Sequence, residues 1–333
     1  MRPIFRRASG GGSPALCRLI ALALSLALTS CVTLPVPSRR GNPLPSDEPA
    51  RQSYDYAPLP LRAQIRSTEP RDGFRLLRLE LTAPQSPGFD PIAVDWYRPD
   101  RPGRHPAVLI SPILAGNDLY VKEFARHFAA RGLHAVIVYR QKEIFSADRK
   151  LDDVEEHLRG SVIRLRQALD WLESEESVDG EKIGTFAISL GAMLTAVLAA
   201  VEPRVRASVL GLPAGDIPSI LMTSRDKAIR KRRANYLREN NLTEEEALAQ
   251  LKKVILSEPL DFASRVPPDS ALMICGLFDR VVGFRRSLTL WNRMGRPRLI
   301  LLPTGHYSAV LATPYLKIAA YSFLRRRLSL PAE

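Results

Sequence analysis

The stretch Glu181–Ala200, EKIGTFAISLGAMLTAVLAA, constrains the fold more than any other part of the chain. Ile183 to Ile188 is short and apolar, bounded by isoleucines, as a buried strand is. Leu190 to Ala200 is rich in Ala, Leu and Met, which predicts a helix buried on all sides. Ser189 sits at the join, with Ala187 two residues before it and Gly191 two after. A strand that turns straight into a helix forces Ser189 into a tight bend, and only small side chains fit two residues to either side. The bend lifts the hydroxyl out of the sheet, beside the free N–H groups and positive dipole end of the helix. That geometry suits a nucleophile. It equally suits a helix N-cap, the commonest role of serine before a helix. The pentapeptide alone leaves both readings open.

The flanking sequence repeats the strand–helix theme. Leu77, Leu79 and Leu81 alternate with polar residues, as do Ile92, Val94 and Trp96, which predicts two half-buried strands in a hairpin. Ala107 to Ile110 is continuously apolar, the pattern of a strand covered on both faces. A helix is expected from about Asp118 to Arg131, ended by Gly132, then a strand from Ala135 to Tyr139. Val154, Leu158, Val162, Leu165, Leu169 and Leu172 recur at helical spacing. The Ser189 unit follows, then strands at Ala207–Leu210, Leu272–Gly276 and Leu299–Leu302, with helices near Phe284–Met294 and Ala309–Arg327. Such alternation implies a mostly parallel sheet of about eight strands with helices on both faces. Between Ala214 and Pro268 the alternation stops, and a polar, basic, helical stretch intervenes, opened in part by the capping box Thr243-Glu244-Glu245-Glu246. Residues 214–268 therefore read as a cap inserted after the sixth of those strands.

The first residues have a different character. Arg2, Arg6, Arg7 and Arg18 flank an apolar run from Leu19 to Leu28 that is too short to span a bilayer. The tetrad Leu28-Thr29-Ser30-Cys31 resembles a bacterial lipobox. The resemblance implies a signal peptide over 1–30, acylation of Cys31 and, from Val32 at the next position, the outer membrane facing the periplasm in a diderm cell. Residues 31–65 carry Pro35, Pro37, Pro43, Pro45, Pro49, Pro58 and Pro60 and read as an extended tether to a domain at 66–330. Cys17 leaves with the signal, so Cys275, in an apolar strand-like run, has no disulfide partner and reads as a small buried hydrophobe. The net charge of +13 is spread, with runs at Arg225–Arg233 and Arg325–Arg327 that read as solvated faces or lipid contacts. No recognition motif accompanies them, so nucleic acid is not an expected partner.

A serine nucleophile needs a base within hydrogen-bond reach and a carboxylate to orient that base, and in open α/β sheets such groups lie beyond the carboxyl ends of strands. Of five histidines only His306, in Leu302-Pro303-Thr304-Gly305-His306-Tyr307, follows a predicted strand end. His105, His127, His134 and His157 precede or begin strands or lie on helices, and read as packing or surface residues. Asp279 follows a strand in Gly276-Leu277-Phe278-Asp279-Arg280-Val281-Val282, and Asp216 follows another. Either aspartate serves as the acid, and either equally caps the segment that follows it.

The elbow A-I-S-L-G, the acid turn G-L-F-D-R-V-V and the histidine turn T-G-H-Y, in that order and each at a strand end, resemble the α/β-hydrolase superfamily over about residues 70 to 330. The dienelactone-hydrolase and bacterial esterase branches look closest. The resemblance implies an α/β-hydrolase fold and a Ser189–His306–Asp279 triad, with Asp216 as the alternative acid. It also implies an oxyanion site built from the N–H groups of Leu190 and Ile113, with Leu114 as fallback because Pro112 has no N–H. Two-step hydrolysis of an ester or thioester follows, with no cofactor and no metal. The alternatives are acyl transfer to another acceptor, or an inactive hydrolase fold acting as an envelope binding or scaffold protein.

Overall fold

The computed structural model describes residues 32–34, 52–57, 59–86, 88–113, 119–140 and 153–330. The segment 1–30 and Cys31 lie outside the described residues. Ten strands form one sheet: β1 (Val32–Leu34), β2 (Arg62–Arg71), β3 (Phe74–Thr82), β4 (Ile92–Pro99), β5 (His105–Ser111), β6 (His134–Val138), β7 (Val178–Ile188), β8 (Val205–Gly211), β9 (Ala271–Gly276) and β10 (Arg298–Leu302). Their order is β1-β10-β9-β8-β7-β5-β6-β4-β3-β2. From β6 across to β10 every pairing is parallel, while β2 to β4 and β1 join antiparallel at the two edges.

All eight predicted strands are present, and the two additions are edge strands. The sequence gives β2 no alternation to detect because most of its residues are exposed on both faces. An edge strand with one neighbour also tolerates Pro70, which would break a central ladder. The expected boundary between residues 65 and 66 therefore moves: β2 begins at Arg62, and Tyr54 is already buried, its hydroxyl donating to Ser257 Oγ at 2.8 Å. Proline content did not report the docking of Tyr54.

Helices cover both faces. α1 (Leu119–Ala129) and α9 (Thr313–Arg327) pack on one side, with Phe124 stacked on Phe186 of β7 at 4.3 Å between ring centroids. α2 (Val154–Ser174), α3 (Leu190–Val201) and α8 (Phe284–Arg293) pack on the other. Every residue of α3 is buried, as its unbroken apolar sequence requires.

The insertion after β8 forms the cap: α4 (Ile217–Thr223), α5 (Lys227–Asn240), α6 (Glu244–Val254) and the short α7 (Pro259–Phe262). The capping box is formed, Thr243 Oγ1 accepting from Glu246 N and Glu246 Oε2 from Thr243 N. Carboxylates close the neck of the cap. Glu258 accepts from the N–H groups of Asp216 and Ile217, each at 2.7 Å, and Glu155 at the start of α2 accepts from Leu256 and Ser257.

The chain leaves β5 for β6 on one side and returns to β7 on the other, so the order reverses between β5 and β7. Loops diverge above such a reversal and leave a crevice at the carboxyl ends of the strands. Ser189 follows β7 there, and Pro112 and Ile113 follow β5.

Candidate active site

Ser189 has φ 57° and ψ −126°, a combination that L-residues rarely adopt. Its N–H donates to Gly211 O at 2.8 Å, which ties the bend to the next strand. Ser189 precedes α3, but its side chain makes no cap hydrogen bond to the helix backbone. The hydroxyl points instead to His306, with Nε2 and Oγ 3.0 Å apart. The small neighbours matter as expected. A Cβ on Gly191 would stand 2.6 Å from Ser111 O and 2.8 Å from Pro112 O, so the start of α3 lies directly against the loop after β5.

His306 Nδ1 lies 2.7 Å from Asp279 Oδ2. With an ionised Asp279 the imidazole carries its proton on Nδ1 and leaves Nε2 free to accept from the serine. The other carboxylate oxygen, Oδ1, accepts from the N–H groups of Val281 and Val282 at 2.9 and 3.1 Å. The side chain of Asp279 is only 1% exposed, so its orientation is fixed by these three bonds. The acid and histidine turns touch: Phe278 N donates to Thr304 O at 3.0 Å, and a Cβ on Gly276 would stand 2.7 Å from that same oxygen.

Asp216 is placed differently. It has left-handed backbone (φ 62°), N-caps α4 by accepting from Ser219 N at 3.3 Å, and pairs with Arg286 at 3.4 Å. Of the two aspartates open from sequence, the histidine is held by Asp279. His134 lies at the amino end of β6, buried against Trp96, which donates to its Nδ1 at 3.1 Å. Burial lowers its pKa to about 4, so it is neutral and structural. Cys275 is buried in β9, and burial pushes its thiol up to about 12.

Of the oxyanion donors, Leu190 N is the first N–H of α3 and has no partner within the helix. Ile113 lines the cavity above Ser189. Leu114 lies outside the described residues. One contributor is absent from the sequence reading. Arg140, just beyond β6, donates to Pro112 O and Ile113 O, both at 2.6 Å. Two charge-assisted bonds to consecutive carbonyls fix the orientation of the loop after β5 beside Ser189. Its position two residues past the carboxyl end of a parallel strand was the available signal.

The cavity over Ser189 measures about 510 Å³. Val154, Leu158 and Met193 from the body and Ile217, Leu221 and Ile229 from the cap make its walls apolar. Polar groups gather at Ser189, His306, Tyr307, Asp226, Arg232 and Arg233. Arg233 is committed to structure, donating to Met222 O at 2.6 Å at the end of α4. Tyr307 donates to Asp226 Oδ2 at 2.6 Å and thereby joins the histidine turn to the start of α5. Among the described residues no group of three or more His, Cys, Asp or Glu is placed to hold a metal ion.

Residues 92–247, from β4 into the cap, match the dienelactone hydrolase family. The mostly parallel sheet with helices on both faces has the α/β-hydrolase fold. Two uncharacterized proteins of Mycobacterium tuberculosis are each 27% identical over 164 residues, which is 49% of this chain but 37% of theirs. Among solved structures, acetyl xylan esterase 1 from a Thermoanaerobacterium species superposes with a TM-score of 0.63 at 19% identity, covering 89% of this chain and 96% of that one. An acetyl xylan esterase from a Paenibacillus species gives 0.64 at 17%, covering 84% and 92%. The 2,6-dihydroxy-pseudo-oxynicotine hydrolase gives 0.56 at 22%, covering 75% and 67%. At these identities the likeness is one of fold.

Proposed function

We propose that the chain is a serine esterase that cleaves carboxylic esters, or thioesters, of an apolar acyl group. The observation that carries this is the hydrogen-bonded series Ser189–His306–Asp279 at the floor of an apolar cavity. His306 Nε2 takes the hydroxyl proton as Ser189 Oγ attacks the carbonyl carbon, and Asp279 stabilises the imidazolium that forms. The oxyanion accepts from Leu190 N–H and Ile113 N–H. The protonated histidine then donates to the leaving alkoxide or thiolate, and the C–O or C–S bond breaks to give an acyl-Ser189 ester. Water, deprotonated by His306, attacks that ester in turn and releases the carboxylic acid and the free serine. Arg140 is a positioning residue for the oxyanion loop.

The wall residues favour acyl groups larger than acetyl. Each buried methylene contributes about 0.8 kcal/mol, so kcat/KM rises roughly threefold to fourfold per carbon until the cavity is full. A series of p-nitrophenyl esters from acetate upward tests this. A fluorophosphonate probe labels wild type at Ser189, and Ser189→Ala takes no label. Folded wild type that takes no probe ends the esterase reading, and a series that peaks at acetate ends the acyl reading alone.

The lipobox-like tetrad at 28–31 supports a second element, a lipid anchor on Cys31 that holds the enzyme at the periplasmic face of the outer membrane in a diderm host. Metabolic labelling with an alkynyl palmitate marks wild type and not Cys31→Ser.

A further inference from the structure

The rim of the cavity exposes apolar side chains that the proposed reaction does not use. Phe278 is 65% exposed, Tyr307 68%, Val310 51% and Leu311 75%. They form one patch. Phe278 is bonded through its N–H to Thr304 of the histidine turn, Tyr307 and Val310 line the cavity mouth, and Leu311 is next in the same short helical turn (Ser308–Ala312). Exposed apolar residues are ordinary when scattered, but a cluster of large ones around one opening marks a contact surface. Most of the protein's large buried side chains lie in the two cores, and nothing on this face needs four uncovered ones for folding.

Basic side chains flank the patch. Arg280 is exposed two residues from Phe278, with Arg285 beyond it. On the cap side Arg225, Lys227, Arg230 and Lys231 are exposed. The sole acid between residues 225 and 233, Asp226, is the acceptor of the Tyr307 phenol, and that bond draws the start of α5 to the mouth. Lys227, Arg230 and Lys231 share one side of α5, opposite Ile229, Arg232 and Arg233, which face the cavity. An apolar centre with a cationic border is the complement of a bilayer surface bearing anionic headgroups.

We propose that this face seats on an anionic lipid surface, with Phe278, Tyr307, Val310 and Leu311 entering the headgroup boundary and the cavity mouth opening onto it. This orientation is a claim separate from attachment through Cys31. It goes beyond the esterase reading, and its test reads position without reading turnover. Leu311→Trp and, as a control on edge strand β2, Ile65→Trp are made in the full chain. Each is mixed with vesicles of phosphatidylcholine alone or with phosphatidylglycerol, their acyl chains brominated near the headgroup. An apolar face enters about 5–10 Å into the boundary, so the indole added at 311 loses roughly half its emission in phosphatidylglycerol vesicles while the one at 65 is unchanged. Arg230→Gln with Lys231→Gln weakens partitioning about fivefold for each charge removed. Phe278→Ser, made in the Leu311→Trp background, removes one apolar anchor and weakens the quenching at 311 in phosphatidylglycerol vesicles. Four results overturn the proposal: no quenching at 311, equal quenching at 311 and 65, equal quenching without phosphatidylglycerol, or a spectral change that follows protein concentration without vesicles, which marks a second copy.

Discussion

The turn after β8 and the turn after β9 start alike and end differently. Each carries an aspartate a few residues past the carboxyl end of a parallel strand, Asp216 in one and Asp279 in the other. Each aspartate accepts a backbone N–H from the residues that follow it. Asp216 spends its second oxygen on Arg286 across a partly exposed gap, whereas Asp279 spends its second on His306 in near-complete burial. What separates them is the neighbour, not the local chemistry. β10 lies next to β9, so the turn after β9 meets the histidine turn at Thr304, while the turn after β8 runs out into the cap. An acid in this architecture is defined by which strand end it shares with the base.

The sharpest break of this comparison is a pair of isosteric changes. Asp279→Asn lowers kcat by about 10⁴, because the amide no longer selects the Nδ1–H tautomer or stabilises the imidazolium. Asp216→Asn leaves kcat within about twofold, as it changes a helix cap and a partly exposed ion pair. Steady-state kinetics on one soluble ester measures both. Equal losses would return Asp216 to the site.

A weaker test targets the glycines that begin each turn. Gly276→Ala places a methyl 2.7 Å from Thr304 O, a backbone atom, so the acid and histidine turns part. A displacement of this kind at the triad costs about 10²-fold in kcat. Gly215→Ala drives its methyl into the Leu260 side chain, 2.3 Å from Cγ. That is overpacking, which costs about 1–3 kcal/mol of stability and leaves kcat near wild type in the folded fraction. Thermal melts alongside kinetics separate the two outcomes.

The two turns also explain what was legible in the sequence. The six parallel strands announced themselves because burial on both faces leaves unbroken apolar runs, β3 and β4 through their alternation, and Ser189 and His306 because each follows such a run. Asp279 was preferred over Asp216 only through the resemblance of its turn, because sequence reports distance from a strand end but not which strand lies beside which. β2 was invisible because an exposed edge strand needs no pattern. Tyr54 acts through a long-range hydrogen bond to Ser257 and Arg140 through two, to the Pro112 and Ile113 carbonyls, and such contacts leave no periodic trace.

The carboxylate that closes the turn after β8, Glu258, carries a pH signature. Burial raises the Glu258 carboxyl above its ordinary 4.5, against the N–H bonds it accepts from Asp216, Ile217 and Leu260. A carboxyl raised in the folded state holds its proton more tightly there than when unfolded. Its contribution is complete below about pH 4.5 and is lost as pH rises through the folded value. Glu258→Gln does not titrate, so the stability advantage of wild type over the variant narrows as pH rises from 4 to 8. Melts across that range read the difference, and a gap that widens with pH contradicts it.

The smallest effect closes the comparison on the Asp216 side. The Arg286–Asp216 pair is 3.4 Å long, with side chains 29% and 35% exposed. Pairs of that kind contribute about 0.2–1 kcal/mol and weaken with salt. Arg286→Gln therefore destabilises by no more than that and leaves kcat unchanged. In a double-mutant cycle with Asp216→Asn the coupling falls further at 1 M salt, where the screening length is about 3 Å. A coupling of several kcal/mol, insensitive to salt, would mean that Asp216 is held as tightly as Asp279, and the distinction between the two turns would then rest on His306 alone.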